Sequence, residues 1–71
     1  MVKPTRVTNS LRAAREAQQL TQADVALRVG VTRQTLIAIE QGKYSPTLEL
    51  AFQLARVFDA TLDELFHYPE D

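Results

Sequence analysis

Apolar residues along this chain recur at helical spacing. They form the sets Leu11 and Ala14; Val25, Ala26 and Val29; Leu36 and Ile39; Leu48, Ala51, Leu54, Ala55 and Phe58; and Leu62, Leu65 and Phe66. Each set leaves a polar face, which predicts five amphipathic helices with one buried side apiece. No strand-like alternation, repeat or low-complexity stretch interrupts them, so five helices and no strands are expected. The boundaries follow from capping chemistry. Thr8, Asn9 or Ser10 starts a first helix to about Gln19, which sets Arg15 on the same face as Leu11 and Ala14, with Leu20 turned inward beyond it. Thr21 caps a second helix to about Val29, with Asp24 as an acidic capping-box partner. A third spans about Arg33 to Gln41 and stops at Gly42, after which Lys43-Tyr44-Ser45-Pro46 makes a turn that proline keeps out of helix. Thr47 caps a fourth to about Phe58, and Thr61-Leu62-Asp63-Glu64 is a full capping box opening a short fifth.

The second and third helices meet at the single Gly30, with no room for a loop between them. That spacing, over Gln22 to Gln41, is the sequence form of a helix-turn-helix, which sets a helix into the DNA major groove. Gly30 falls where the turn needs positive φ, Val31 can plug the seam between the helices, and Thr32 follows as the next N-cap.

At 71 residues the chain makes one small domain with little room for an enclosed substrate cavity, so an enzyme is not expected. There is no cysteine, which leaves stability to the core and suits a reducing cytoplasm. The polar segment after Met1 lacks the apolar stretch of a signal peptide, and no apolar run nears the ~20 residues of a membrane span. A soluble, cytoplasmic protein is expected. The net charge of −1 hides an asymmetry: residues 1–46 carry seven basic side chains against three acidic, and residues 47–71 one against six. The basic half is the helix-turn-helix half, as contact with a polyanion requires.

Together LRAARE, LTQADVALRVGVTRQTLIAIEQGKYSP and LELAFQLARVFDATLDELF are similar to regulators of the phage-repressor and Cro (Xre-like) helix-turn-helix family, over roughly residues 9 to 66. The resemblance implies an all-α, compact five-helix bundle of the lambda-repressor-like kind that binds operator DNA, usually as a symmetric homodimer, and regulates transcription. Residues 1–8 are then an N-terminal arm, 9–66 the DNA-binding domain and 67–71 an acidic tail.

Residue chemistry assigns the contacts. Arg33, Gln34, Ile37, Ala38 and Gln41 are expected on the face of the third helix opposite Leu36, Ile39 and Glu40. Arginine pairs with guanine and glutamine with adenine, so Arg33 and Gln34 are base-reading candidates, and Ile37 and Ala38 can meet thymine methyl groups. Core or dimer packing is the alternative for Ile37. Gln22, at the start of the second helix, suits a phosphate, and in similar proteins this glutamine grips the backbone. Lys43, Tyr44 and Ser45 can reach flanking phosphates, with packing against Pro46 the alternative for Tyr44. Thr32 and Thr35 serve caps or phosphates, and Lys3, Arg6, Arg12 and Arg28 add long-range attraction. Arg15 and Glu40 both point inward and should form a buried structural ion pair, which similar proteins also have.

One domain of this size reads about one half-site, so a homodimer on an inverted repeat is expected, joined near Phe66 and Tyr68. No catalytic constellation, metal site, cofactor or small-molecule ligand is expected; the lone His67 is read as solvent-exposed. An interaction module that kept the fold but lost DNA binding is the alternative of a different class. Antitoxin or restriction-modification controller roles also fit the pattern.

Overall fold

In the computed structural model, which describes residues 5–70, five helices follow in order: α1 (Leu11–Ala17), α2 (Gln22–Val29), α3 (Arg33–Glu40), α4 (Leu48–Val57) and α5 (Leu62–Leu65). Their inward faces meet in one cluster built from Leu11, Val25, Leu36, Ile39, Leu54 and Leu65, with Phe58 and smaller neighbours. Leu36 and Leu54 are wholly inaccessible to solvent. Burying a leucine of this kind contributes roughly 1.5–3 kcal/mol. Val31 packs against this cluster from the turn between α2 and α3, as the sequence requires.

The starts of α2 to α5 obey the capping chemistry, whereas Ser10 at the start of α1 makes no side-chain cap bond. Thr21, Thr32, Thr47 and Thr61 each accept the backbone N–H three residues on, and the boxes Thr21/Asp24 and Thr61/Glu64 are reciprocal. The backbone N–H of Thr21 donates to Asp24, and the Thr21 hydroxyl lies beside that carboxyl. Both hold the Asp24 carboxyl below its ordinary range, and Thr61 does the same to Glu64.

Helix ends share one device. α1, α2, α3 and α4 all close with paired bonds back to the last turn: Leu20 N–H to Arg15 C=O at 3.0 Å, Val31 to Ala26 at 3.0 Å, Lys43 to Ala38 at 3.0 Å and Ala60 to Ala55 at 2.9 Å. Each needs one left-handed residue. Gly30 and Gly42 supply it at φ 73, but Gln19 (φ 58) and Asp59 (φ 51) supply it without the freedom of glycine. α1 consequently stops at Ala17, short of the Gln19 expected from its sequence, because Gln19 is the reversal itself.

Three further expectations are corrected. A two-residue antiparallel ladder exists: β1 (Thr8–Asn9) pairs with β2 (Phe66–His67), with Thr8 opposite His67 and Asn9 opposite Phe66. Phe66 therefore belongs to a strand and not to α5. Leu48, read as core, is 67% exposed, because it opens α4 at the margin of the apolar stripe and no described residue covers it. The ladder also pairs Thr8 with His67, positions assigned to arm and tail. His67 is exposed as expected, with its Nε2 3.3 Å from the Ser10 hydroxyl.

Candidate nucleic-acid interface

α3 is packed through Leu36 and Ile39, which at 100° per residue leaves Gln34, Ala38 and Gln41 on the far side. Gln34 and Gln41 are exposed; Ile37 and Ala38 are half-buried and lie outside the core cluster. An outward face with two amides and two small apolar patches can present both hydrogen bonds and methyl contacts to base edges.

Arg33 is placed differently from expectation. Seven residues separate it from Glu40, nearly two full turns, so the two share a flank and do not oppose each other. Its Nη2 donates to Gln22 Oε1 at 3.4 Å, and Gln22 Nε2 donates to Glu40 Oε1 at 3.4 Å. The base-reading candidate and the phosphate candidate are thus one network. Gln22 is held with its carbonyl toward Arg33, and Arg33 keeps most of its five N–H donors for a ligand.

Behind this flank lies the expected ion pair. Arg15 Nε donates to Glu40 Oε2 at 3.0 Å and Arg15 Nη2 to Oε1 at 3.3 Å, a two-point contact with side chains only 13% and 6% exposed. Arg15 Nη1 also holds the Leu20 carbonyl at 3.2 Å, at the reversal after α1. The pair locks α1 against α3 and neutralises Glu40, the one acidic side chain of that helix. Arg12, Arg15, Gln22, Arg33 and Glu40 line a shared polar cleft along this side.

The remaining candidates divide. Thr32 and Thr35 are engaged locally: the Thr32 hydroxyl accepts the Thr35 N–H at 3.1 Å, and the two hydroxyls lie 3.0 Å apart. Lys43 and Ser45 lie in the turn after α3, where Ser45 is exposed and Tyr44 is half-buried. Tyr44 packs on the core cluster. Arg12 pairs with Glu16 at 3.4 Å on the exposed side of α1. Lys3 lies outside the described residues. Phe66 is half-buried against the core, whereas Tyr68 is 66% exposed, with the Arg6 guanidinium 5.4 Å from its ring centroid.

Sequence reasoning missed Asn9. Its Nδ2 donates to the Ile39 carbonyl at 2.8 Å and its Oδ1 accepts the Leu11 N–H at 3.2 Å. One amide therefore joins the last turn of α3 to the start of α1, while the Asn9 backbone pairs with Phe66. The only signal was its capping residue type, because the partner carbonyl lies thirty positions away.

A recognition helix seated on its scaffold helix, with a capped N-terminus and a basic flank, defines a DNA-binding helix-turn-helix module. Comparison with known proteins places it further. A family model described as Helix-turn-helix matches residues 11–65, and the chain belongs to that family. It is 48% identical over 63 residues to an uncharacterized HTH-type transcriptional regulator of Methanocaldococcus jannaschii, covering 89% of this chain and 96% of the relative. It is 34% identical over 58 residues to the cryptic phage CTXphi transcriptional repressor RstR of Vibrio cholerae, covering 82% and 52%. Among solved structures, the restriction-modification controller protein C.AhdI of Aeromonas hydrophila superposes with a TM-score of 0.71 at 30% identity, covering 76% of this chain and 82% of that one. The chain is a DNA-binding transcriptional regulator, and the interaction-module alternative is not favoured. No helix among the described residues is long and apolar enough to cross a membrane.

Proposed function

We propose that this chain is a cytoplasmic, non-enzymatic repressor that binds an inverted-repeat operator as a homodimer, without cofactor or small-molecule ligand. Gln34, Ala38 and Ile37 read bases from the outer face of α3, and Arg33 reads from its first turn. Gln22, Lys43, Ser45, the Tyr44 phenol and the Thr32 and Thr35 region hold phosphates on either side. Phe66 and Tyr68 lie at the dimer edge. The observation that carries this reading is the network Arg33–Gln22–Glu40–Arg15, which ties the first turn of α3 to the N-terminus of α2. The groups that specify and the groups that position are thereby held in one frame. The phage repressor among the relatives supports the repressor role.

Selection of sites from a random duplex pool tests it. The enriched sequence should be an inverted repeat with half-site centres about ten base pairs apart. On that sequence Arg33→Ala should cost ~1–3 kcal/mol while changing binding to random duplex much less. An unenriched pool, or equal losses on both duplexes, would remove the reading role.

A further inference from the structure

Among the described residues the large apolar side chains that stay most exposed are Leu27, Leu48, Phe52 and Tyr68. Leu27 stands alone on α2. The other three are continuous: Leu48 shares one groove with Phe66 and Tyr68, a second with Phe52, and Phe52 shares a third with Leu62. Such a strip, running from β2 across the start of α4, is larger than scattered surface leucines account for.

The charges beside it point to what covers it. On α4, Ala51, Leu54 and Ala55 face the core, whereas Glu49, Phe52, Gln53 and Arg56 are exposed. Glu49 and Arg56 stand seven residues apart, about 10.5 Å along the same side, and neither has an ion-pair partner among the described residues. Their midpoint falls between Phe52 and Gln53. A two-fold axis through that point lays α4 antiparallel to a second α4. Glu49 then faces the arginine at position 56 of the second copy, the reverse pair forms by symmetry, and the two Phe52 rings meet at the centre. A parallel arrangement would oppose like charges.

We infer that this strip is the homodimer interface and that the Glu49–Arg56 pair sets its register. The inference rests on the dimer reading above and extends it from the Phe66 and Tyr68 edge onto α4. A ten-residue helix is only about 15 Å long, so α4 alone falls short of the ~800 Å² per partner of a stable contact, and the interface has to take in the groove reaching Tyr68 as well.

Sedimentation of the full chain at tens of micromolar tests it, with circular dichroism as the check on folding. Both charged side chains are exposed, so their substitution leaves the core intact. The unaltered chain should be a dimer. Glu49→Lys and Arg56→Glu should each weaken self-association by at least about tenfold, because each opposes like charges twice per dimer. An equimolar mixture of the two variants should restore the dimer, since the introduced lysine of one copy then faces the introduced glutamate of the other, and the unaltered Arg56 and Glu49 face each other across the same axis. A monomeric unaltered chain would overturn both the dimer reading and this interface. A dimer indifferent to both charge reversals but dissociated by Tyr68→Glu would overturn the α4 interface alone.

Discussion

Arg15 and Glu40 carry opposite charges into a nearly dry site, where attraction must offset the loss of hydration. The two-point geometry, with Arg15 also donating to the Leu20 carbonyl and the Gln22 amide donating to Glu40, is what makes this possible. Arg15→Met should therefore cost about 3–5 kcal/mol in urea melts, by leaving Glu40 charged and poorly paired. Adding Glu40→Leu should recover much of that loss. Strictly additive effects of the two substitutions would mean that the side chains do not act as a pair. This pair was legible in the sequence because both residues fall on apolar stripes, where a charge demands a partner. Asn9 was not, because a polar residue at a helix start already has a local explanation. The position of Arg33 was readable and misread: a spacing of seven residues places it with Glu40, not opposite.

At the level of elements, starts were more legible than stops. Threonine at four N-caps and an acid three residues on at two of them announce a helix by chemistry confined to one turn. Stops at Gly30 and Gly42 announce themselves by glycine, whereas Gln19 and Asp59 take the same left-handed conformation with ordinary side chains. Tertiary packing imposes those two reversals, and periodicity cannot see them. Gln19→Gly should consequently stabilise the fold by up to about 1 kcal/mol in thermal or urea melts, while Gly30→Ala should destabilise it by a similar amount. Gly30 has open space where a Cβ would sit, so strain in the backbone is the whole of that effect. A destabilised Gln19→Gly variant would show that the side chain contributes more than its backbone costs. The ladder of β1 with β2 escaped notice for another reason: two residues are too few to show alternation.

Across the whole molecule, charge separates two tasks. The half ending at Pro46 holds seven basic against three acidic side chains and carries the recognition elements; the remainder is acidic and carries the α4 surface. Net charge alone argues weakly against DNA binding, and only its distribution resolves the point. On this account phosphate grip and base reading are separable, and the measurement that tests this most directly is the salt dependence of binding to the selected operator and to random duplex. The unaltered chain, Gln34→Ala and Lys43→Ala should be compared between roughly 50 and 200 mM salt. Gln34→Ala should shrink the ratio of operator to random affinity by ~1–3 kcal/mol and leave the slope of log affinity against log salt unchanged. Lys43→Ala should lower that slope by about one unit and leave the ratio unchanged. If instead both substitutions alter ratio and slope alike, or neither alters either, the division of labour between the outer face of α3 and the turn that follows it is contradicted.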